Sequence, residues 1–417
     1  MFCTLDRPGK GRGRILLMLA WLAVPSLALA EGGVLTLDNA LRAARDNNPE
    51  LAAVRWDIDI AEGERRQAGV LPNPELGWEV EDTRSGKQTT TVSVSQMFEL
   101  GGKRGARLGV AGRDADIAAL ELERQGNVLR ADVIAAFQAA VQAQEGLQLA
   151  EQSLQLSERG LQVVQGRVKA GSASPVEATR AQVQVSEVRL ERGRAEQALT
   201  VAYQQLAAVT GAPMARFSRV EGRSDDDAAV PSRTALLERL EQTADMRLAR
   251  LQIDQREAAL ALARTQRIPD LTVSVGSQYS ETDRERVNVV GLSMPIPLFD
   301  RNQGNILAAA RRADQARDQR NGAELRLRSE VIQALAQWGT ANQEVRAFES
   351  AILPSAQQAQ DTATRGFERG KFAFLDVLDA QRTLVAARLQ YLQSQAQRNE
   401  ARMRLERIFG DLDLASR

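Results

Sequence analysis

Residues 370–381 read GKFAFLDVLDAQ, placing two carboxylates, Asp376 and Asp379, three residues apart at an otherwise apolar helix start. Residues 171–182 read GSASPVEATRAQ, a weaker copy with Glu177 in the place of Asp376. The echo is not isolated. NPEL at 73–76 answers IPDL at 268–271, and VSVSQMFEL at 92–100 answers VVGLSMPIPL at 289–298, in the same order and at offsets of 195 to 199 residues. So constant a spacing predicts two copies of one structural unit. The first is expected over 31–220 and the second over 233–417, joined by the polar, proline-punctuated stretch 221–232.

Each copy reads the same way along the chain. An amphipathic helix is expected over 36–68 and again over 233–267. Short alternating runs follow, predicting β-hairpins at 75–97 and 270–295. In ELGWEVE (75–81), Leu76, Trp78 and Val80 share one face and the charges the other; Val92 and Val94 continue the pattern in TTTVSVSQ (89–96). Period-two runs of this length suit strands with one apolar and one polar face, in a membrane barrel or at the edge of a soluble domain. Helical hairpins are then expected over 103–211 and 301–410. From Leu129 to Val168 seam positions step alternately by four and three, with Ser157 alone polar, and no proline intervenes from Lys103 to Ala170. At 1.5 Å per residue this helix reaches about 100 Å. The later arm repeats the alternation through Leu375, Leu378, Arg382, Val385, Leu389, Leu392, Ala396, Asn399 and Met403. A soluble coiled-coil rod carries the same seam.

Composition narrows the function. Arg12 and Arg14 precede the apolar run ILLMLAWLAV, and Ala28 and Ala30 offer a cleavage site, so residues 1–30 are expected to be an export signal. The one cysteine, Cys3, lies inside it, leaving no disulfide or thiolate ligand afterwards. The chain has no histidine, which removes the commonest general base and transition-metal ligand. No catalytic site, metal site or cofactor is expected. Lys and Arg balance Asp and Glu at 54 each, arguing against a nucleic-acid partner.

Four strands with a lipid-like face cannot close a barrel, and an open edge in lipid leaves backbone groups unpaired, so closure must come from further copies of the chain. At this point the sequence resembles the TolC family of outer-membrane factors, over essentially everything after the signal. The tip motif GKFAFLDVLDAQRTL carries the resemblance most specifically. QMFELGGKRGAR (96–107) and PIPLFDRNQGNI (295–306) resemble the CzcC-like branch, which serves heavy-metal cation pumps.

The resemblance implies a mainly α fold with membrane β: long helical hairpins forming a periplasmic α-barrel, and four strands per chain shared in a twelve-stranded barrel of a homotrimer. It implies an exit duct in the outer membrane, with a long periplasmic extension, docked on a periplasmic adaptor and an inner-membrane RND transporter. It also implies that Asp376 and Asp379 line the periplasmic aperture and set its ion preference, although two acids in a first turn also suit the helix dipole by themselves. Gly171, Ser172, Glu177, Gly370, Lys371 and Phe372 become the expected docking tips. Family members with a closed aperture hold it through a basic residue two positions after the tip glycine; here Phe372 stands there, beside Lys371. Gly101 and Gly102 are expected to make the strand-to-helix bend, a role taken by Pro295 and Pro297 in the second copy. Lys103, Arg104, Arg107 and Arg113 could meet lipid phosphates or simply start a solvated helix. A duct for organic compounds, a periplasmic adaptor and a non-transport rod are the competing readings.

Overall fold

The computed structural model describes residues 33–222, 230–410 and 412. The expected signal at 1–30 and residues 223–229 of the expected linker lie outside them.

The chain begins with strand β1 (Gly33–Thr36) and helices α1 (Leu37–Asn47) and α2 (Pro49–Ala68). The single helix expected over 36–68 is thus two. A residue before proline is driven out of the helical region, and Asn48 turns this to use: it sits at ψ 121° and its side chain accepts from Leu51 N–H at 3.0 Å. The helix expected over 233–267 is also broken. After α5 (Arg233–Arg239) and one tight turn, Leu240–Gln242, the hydroxyl of Thr243 accepts from Met246 N–H at 3.4 Å and starts α6 (Ala244–Thr265). Strand β4 (Phe217–Glu221) reaches the first residue of the expected linker and pairs in parallel with β1. Gln144 holds β4 in place, donating to the Val220 carbonyl at 3.1 Å and accepting from its N–H at 2.8 Å.

Four longer strands make one antiparallel sheet: β2 (Glu75–Glu81), β3 (Thr89–Phe98), β5 (Leu271–Ser280) and β6 (Glu285–Ser293), in the order β2-β3-β5-β6. The two hairpins therefore join through β3 and β5. Directly opposed residues share a face, so the register sorts the side chains. Leu76, Val94, Val275 and Val290 form one row, and Trp78, Val92, Ser277 and Asn288 the next. On the other face lie Glu75–Ser95–Ser274–Gly291, Glu79–Thr91–Gln278–Val287 and Glu81–Thr89–Ser280–Glu285. One face is apolar yet exposed; the other is polar and acidic. The outer edges of β2 and β6 carry no strand among the described residues.

Helix α3 (Lys103–Lys169) runs unbroken for 67 residues, and α4 (Pro175–Val209) returns along it. In the second copy α7 (Gln303–Ala347) passes through one wide turn, Phe348–Ile352, into α8 (Leu353–Glu368), and α9 (Phe374–Phe409) returns. That wide turn precedes Pro354, whose missing N–H and ring bulk interrupt the regular helical ladder without ending the helix. Contacts of α3 with α6 and α9 join the copies. In α3 the expected seam is buried or half-buried throughout, with Val133, Ala140 and Val164 fully covered. In α9 it is not: Leu375, Arg382 and Leu389 are exposed, and the covered stripe is Phe374, Val377, Gln381, Leu384, Ala401, Leu405 and Ile408. The reason is that α9 packs against α7 and α8 on one side and α3 on another, so the buried face follows two partners rather than one heptad line.

Candidate functional site

Both helical hairpins reverse at a left-handed glycine, Gly171 at φ 73° and Gly370 at φ 72°. The closure is identical in kind. Ser172 N–H donates to the Arg167 carbonyl at 2.9 Å and Gly171 N–H to Val168 at 3.0 Å; Lys371 N–H donates to Gly366 at 2.8 Å and Gly370 N–H to Phe367 at 2.9 Å. Each pair satisfies carbonyls that a helix end would otherwise leave open. The return helices then start by different chemistry. Ser174 caps α4 through a bond from Val176 N–H at 3.3 Å, with Pro175 in the first turn and Glu177 half-exposed behind it. At α9 the cap residue is Ala373, which has no side-chain acceptor, and Asp376 supplies the bond instead: its carboxylate accepts from Ala373 N–H at 2.9 Å. Asp379 is exposed one turn further on, its backbone carbonyl accepting from the Thr383 hydroxyl at 2.9 Å.

The two tips form one end of the molecule. Val164 of α3, Ala181 of α4, Phe367 of α8, and Phe374, Val377 and Leu378 of α9 make one apolar cluster. The Arg167 guanidinium lies 4.8 Å from the Phe367 ring centre, a favourable cation–aromatic contact. Phe374 packs so near α3 that a Cβ on Gly160 would stand 3.4 Å from its ring. Phe372 packs against Gly366, where a Cβ would come within 2.0 Å of its ring. Phe372 and Asp376 share an open hollow with Ser355, Gln358 and Thr362 of α8. The structure thus gathers Gly171, Ser172, Glu177, Gly370, Lys371, Phe372, Asp376 and Asp379 at one end.

The strand-to-helix bends lie at the other end. Gly101 and Gly102 are both left-handed, at φ 73° and 77°, and a Cβ on Gly101 would stand 2.7 Å from Ile268. In the second copy Pro295 and Pro297 lie in an irregular segment after β6, where Leu298 N–H donates to the Ile296 carbonyl at 2.9 Å. The left-handed residue there is Asn302, at φ 58°, whose side-chain amide donates to the Ala263 carbonyl at 2.7 Å and to Gln266 at 3.0 Å. Sequence reading missed Asn302, although asparagine is among the few residues that tolerate this conformation.

Of the basic residues after Gly102, Lys103 and Arg107 are half-buried in ion pairs, whereas Arg104 is exposed and Arg113 pairs with Asp116 at 3.2 Å on the exposed surface. Lys103 pairs with Asp270 at 2.7 Å, and that carboxylate also accepts from Leu100 N–H at 3.1 Å. Arg104 donates to the Gly69 carbonyl at 2.7 Å. Arg107 grips both oxygens of Glu99 and also donates to the Ala68 carbonyl at 3.3 Å. The Arg107 guanidinium holds the Glu99 carboxyl below the usual carboxylate range. The motif QMFELGGKRGAR is therefore a brace that fixes the sheet on the helices. Among the described residues no group of three or more carboxylates, histidines or cysteines gathers to hold a metal ion, and no helix is long and apolar enough to cross a membrane.

A strand set with one apolar and one acidic face, carried on helical hairpins with a common tip, defines a channel-wall protein of the TolC-like type. Residues 40–212 and 236–411 match the family model described as outer membrane efflux protein, and the chain belongs to that family. It is 38% identical over 390 residues to the cobalt-zinc-cadmium resistance protein CzcC of Cupriavidus metallidurans, covering 93% of both chains. It is 29% identical over 280 residues to the nickel-cobalt-cadmium resistance protein NccC of Alcaligenes xylosoxydans xylosoxydans, covering 64% of this chain and 63% of that one. Its fold matches a crystal structure of CusC with a TM-score of 0.75 at 18% identity, over 90% of this chain and 92% of the other.

Proposed function

We propose that this protein is the outer-membrane exit duct of a three-part RND-type pump that exports divalent heavy-metal cations of the cobalt, zinc and cadmium kind. The carrying observation is the four-stranded sheet with an exposed apolar face, an acidic face and two unpaired edges. In water such edges are open to aggregation; in lipid they demand partners. Three copies, edge to edge, pool twelve strands into a barrel with the apolar rows outward and Glu75, Glu79, Glu81 and Glu285 inward. The helical hairpins extend into the periplasm as the continuing tube.

At the tips, Asp376 and Asp379 project into the narrowest part of that tube, where a ring of carboxylates favours cations. A periplasmic adaptor and the inner-membrane transporter dock on the turns at Gly171, Ser172, Glu177, Gly370, Lys371 and Phe372. The family's basic lock is replaced by packing of Phe372 on Gly366. Similarity to CzcC along nearly the whole of both chains supports the metal cargo. The absence of histidine and of any cysteine after Cys3 suits a conduit, in which a tight ligand would slow release.

The test compares cells with and without the protein, in the presence of its pump, for accumulation of zinc, cobalt, cadmium and several organic dyes. Metal accumulation without the protein, with dyes unchanged, is the expected result. Dye accumulation alone assigns the duct to organic compounds instead.

A further inference from the structure

Resting on that placement in the outer membrane, we propose that residues 294–299 are a lipid anchor, with Ile296, Leu298 and Phe299 seated among the acyl chains of the periplasmic leaflet. The apolar face of the sheet does not stop where β6 stops. Val290 and Leu292 point outward on the strand, and the alternation continues through Met294 to Ile296, which is 75% exposed. Pro295 and Pro297 restrict the backbone, and the bond from Leu298 N–H to the Ile296 carbonyl closes a three-residue turn across Pro297. That turn presents Leu298 at 65% and Phe299 at 91% exposure. Three large apolar side chains held out by backbone rather than packing forgo the stabilisation that burial would give.

The first copy does this to a lesser degree. Its strand β3 ends at Phe98, and the chain, with Phe98 and Leu100 less exposed at 51% and 37%, passes at once into the brace, where Lys103 pairs with Asp270. The second copy has Gln303 at the helix start, its side chain accepting the Arg301 N–H at 2.8 Å, and no equivalent ion pair. Arg301 follows the segment directly, and Asn302 fastens it to the end of α6, which carries Arg264 and Arg267. Arg264, Arg267 and Arg301 are exposed and make no ion pair among the described residues. Of the nearby acids, Asp300 accepts Asn302 N–H at 2.8 Å, and Asp270, which the β5–β6 register places across from Pro295, is paired with Lys103. An apolar tip with cations behind it suits acyl chains with phosphates above them. A second copy is a poorer occupant, because a strand added at the β6 edge lies in the plane of the sheet and leaves its outward face uncovered.

The chain's one cysteine is Cys3, so Phe299→Cys and Ile296→Cys each give a unique attachment point after removal of the signal. The labelled proteins carry an environment-sensitive fluorophore and are reconstituted into phosphatidylethanolamine–phosphatidylglycerol vesicles. The vesicles contain nitroxide lipids spin-labelled high or low on the acyl chain. Leu325→Cys, on the exposed face of α7, is the control. The expected result is strong quenching at 299 and 296, greatest with the shallow nitroxide, at a depth of about 5–10 Å, with little quenching by aqueous iodide and none by lipid at 325. Quenching by iodide alone puts the segment in water, and quenching by neither puts it under protein; either overturns the anchor. If those same vesicles conduct ions, the duct stands without it; failure to insert at all removes both.

Discussion

Asp376 has two roles that substitution can separate. Its carboxylate accepts the Ala373 N–H at 2.9 Å, and its charge lies in the first turn of α9. Asp379 lies past that turn and caps nothing. Asp376→Asn keeps an acceptor for Ala373 and loses only the favourable charge at the positive helix end, about 0.3–1 kcal/mol. Asp376→Ala also strands the N–H, raising the loss to about 1–2 kcal/mol. Asp379→Asn is exposed and costs within about 0.5 kcal/mol. Stability, read as the thermal midpoint of the detergent-solubilised protein, should therefore fall in the order Asp379→Asn, Asp376→Asn, Asp376→Ala. Cation preference, read as the reversal potential across a planar bilayer under a salt gradient, should not follow that order. Each variant removes one charge per chain from the proposed ring, so all three should lose cation preference to a similar degree, and the double asparagine variant more. Should the loss of preference be confined to Asp376→Ala and track the thermal midpoint, both carboxylates are parts of a helix start and the aperture assignment is wrong.

Phe374→Ala empties a 5% exposed site that joins both tips, so it should cost about 3–5 kcal/mol and raise single-channel conductance by loosening the aperture. Gly370→Ala meets open space and fails only through its left-handed backbone, a penalty of about 1–2 kcal/mol visible in the melting curve; Gly171→Ala should match it. At the other end, Arg107→Ala strands Glu99 and should cost about 1.5–3 kcal/mol. Because Arg107 depresses the folded-state pKa of Glu99, their contribution is complete above the unfolded value of about 4.3 and is lost as pH falls through the lower folded value. The acid-unfolding midpoint should therefore move to higher pH in Arg107→Ala.

The parts legible in the sequence are those written locally. The strands fall where alternation put them because a two-faced sheet must repeat every second residue, and the polar turns bound it. The tips were legible because reversal of a helix needs a left-handed residue, and glycine supplies it. The break at Asn48 was written too, as asparagine before proline, but a continuous amphipathic pattern masked it. The break at Thr243 has no proline and is visible only once its hydroxyl is seen on Met246 N–H. Partners distant in sequence left no trace: Lys103 finds Asp270 167 residues away, so its local context reads as a loose basic helix start. The stripe of α9 was misplaced for the same reason, since two neighbouring helices decide it.

The polar residues interrupting the seams have a physical logic of their own. Gln381, buried on α9, donates to the Ser157 hydroxyl of α3 at 2.9 Å, and Arg382 donates to Gln184 of α4 at 2.8 Å. Further along, Arg388 reaches Gln357 at 3.0 Å and Ser394 reaches Glu344 at 2.9 Å. An alanine-rich heptad seam specifies its register weakly, since a slide of one heptad, about 10 Å, sets small residue over small residue again. The same slide leaves the Gln381 amide buried without a partner, at about 1–3 kcal/mol, which is how one polar pair fixes alignment in a coiled coil. The layer formed by Gln381 and Ser157 lies five residues from Asp376, about 7.5 Å along the helix. Widening at Asp376 must then either break that bond or draw the end of α3 along with α9. Since Phe374 and Val164 belong to one apolar cluster, the second course keeps both the hydrogen bond and the packing, and the two hairpin tips move as one body.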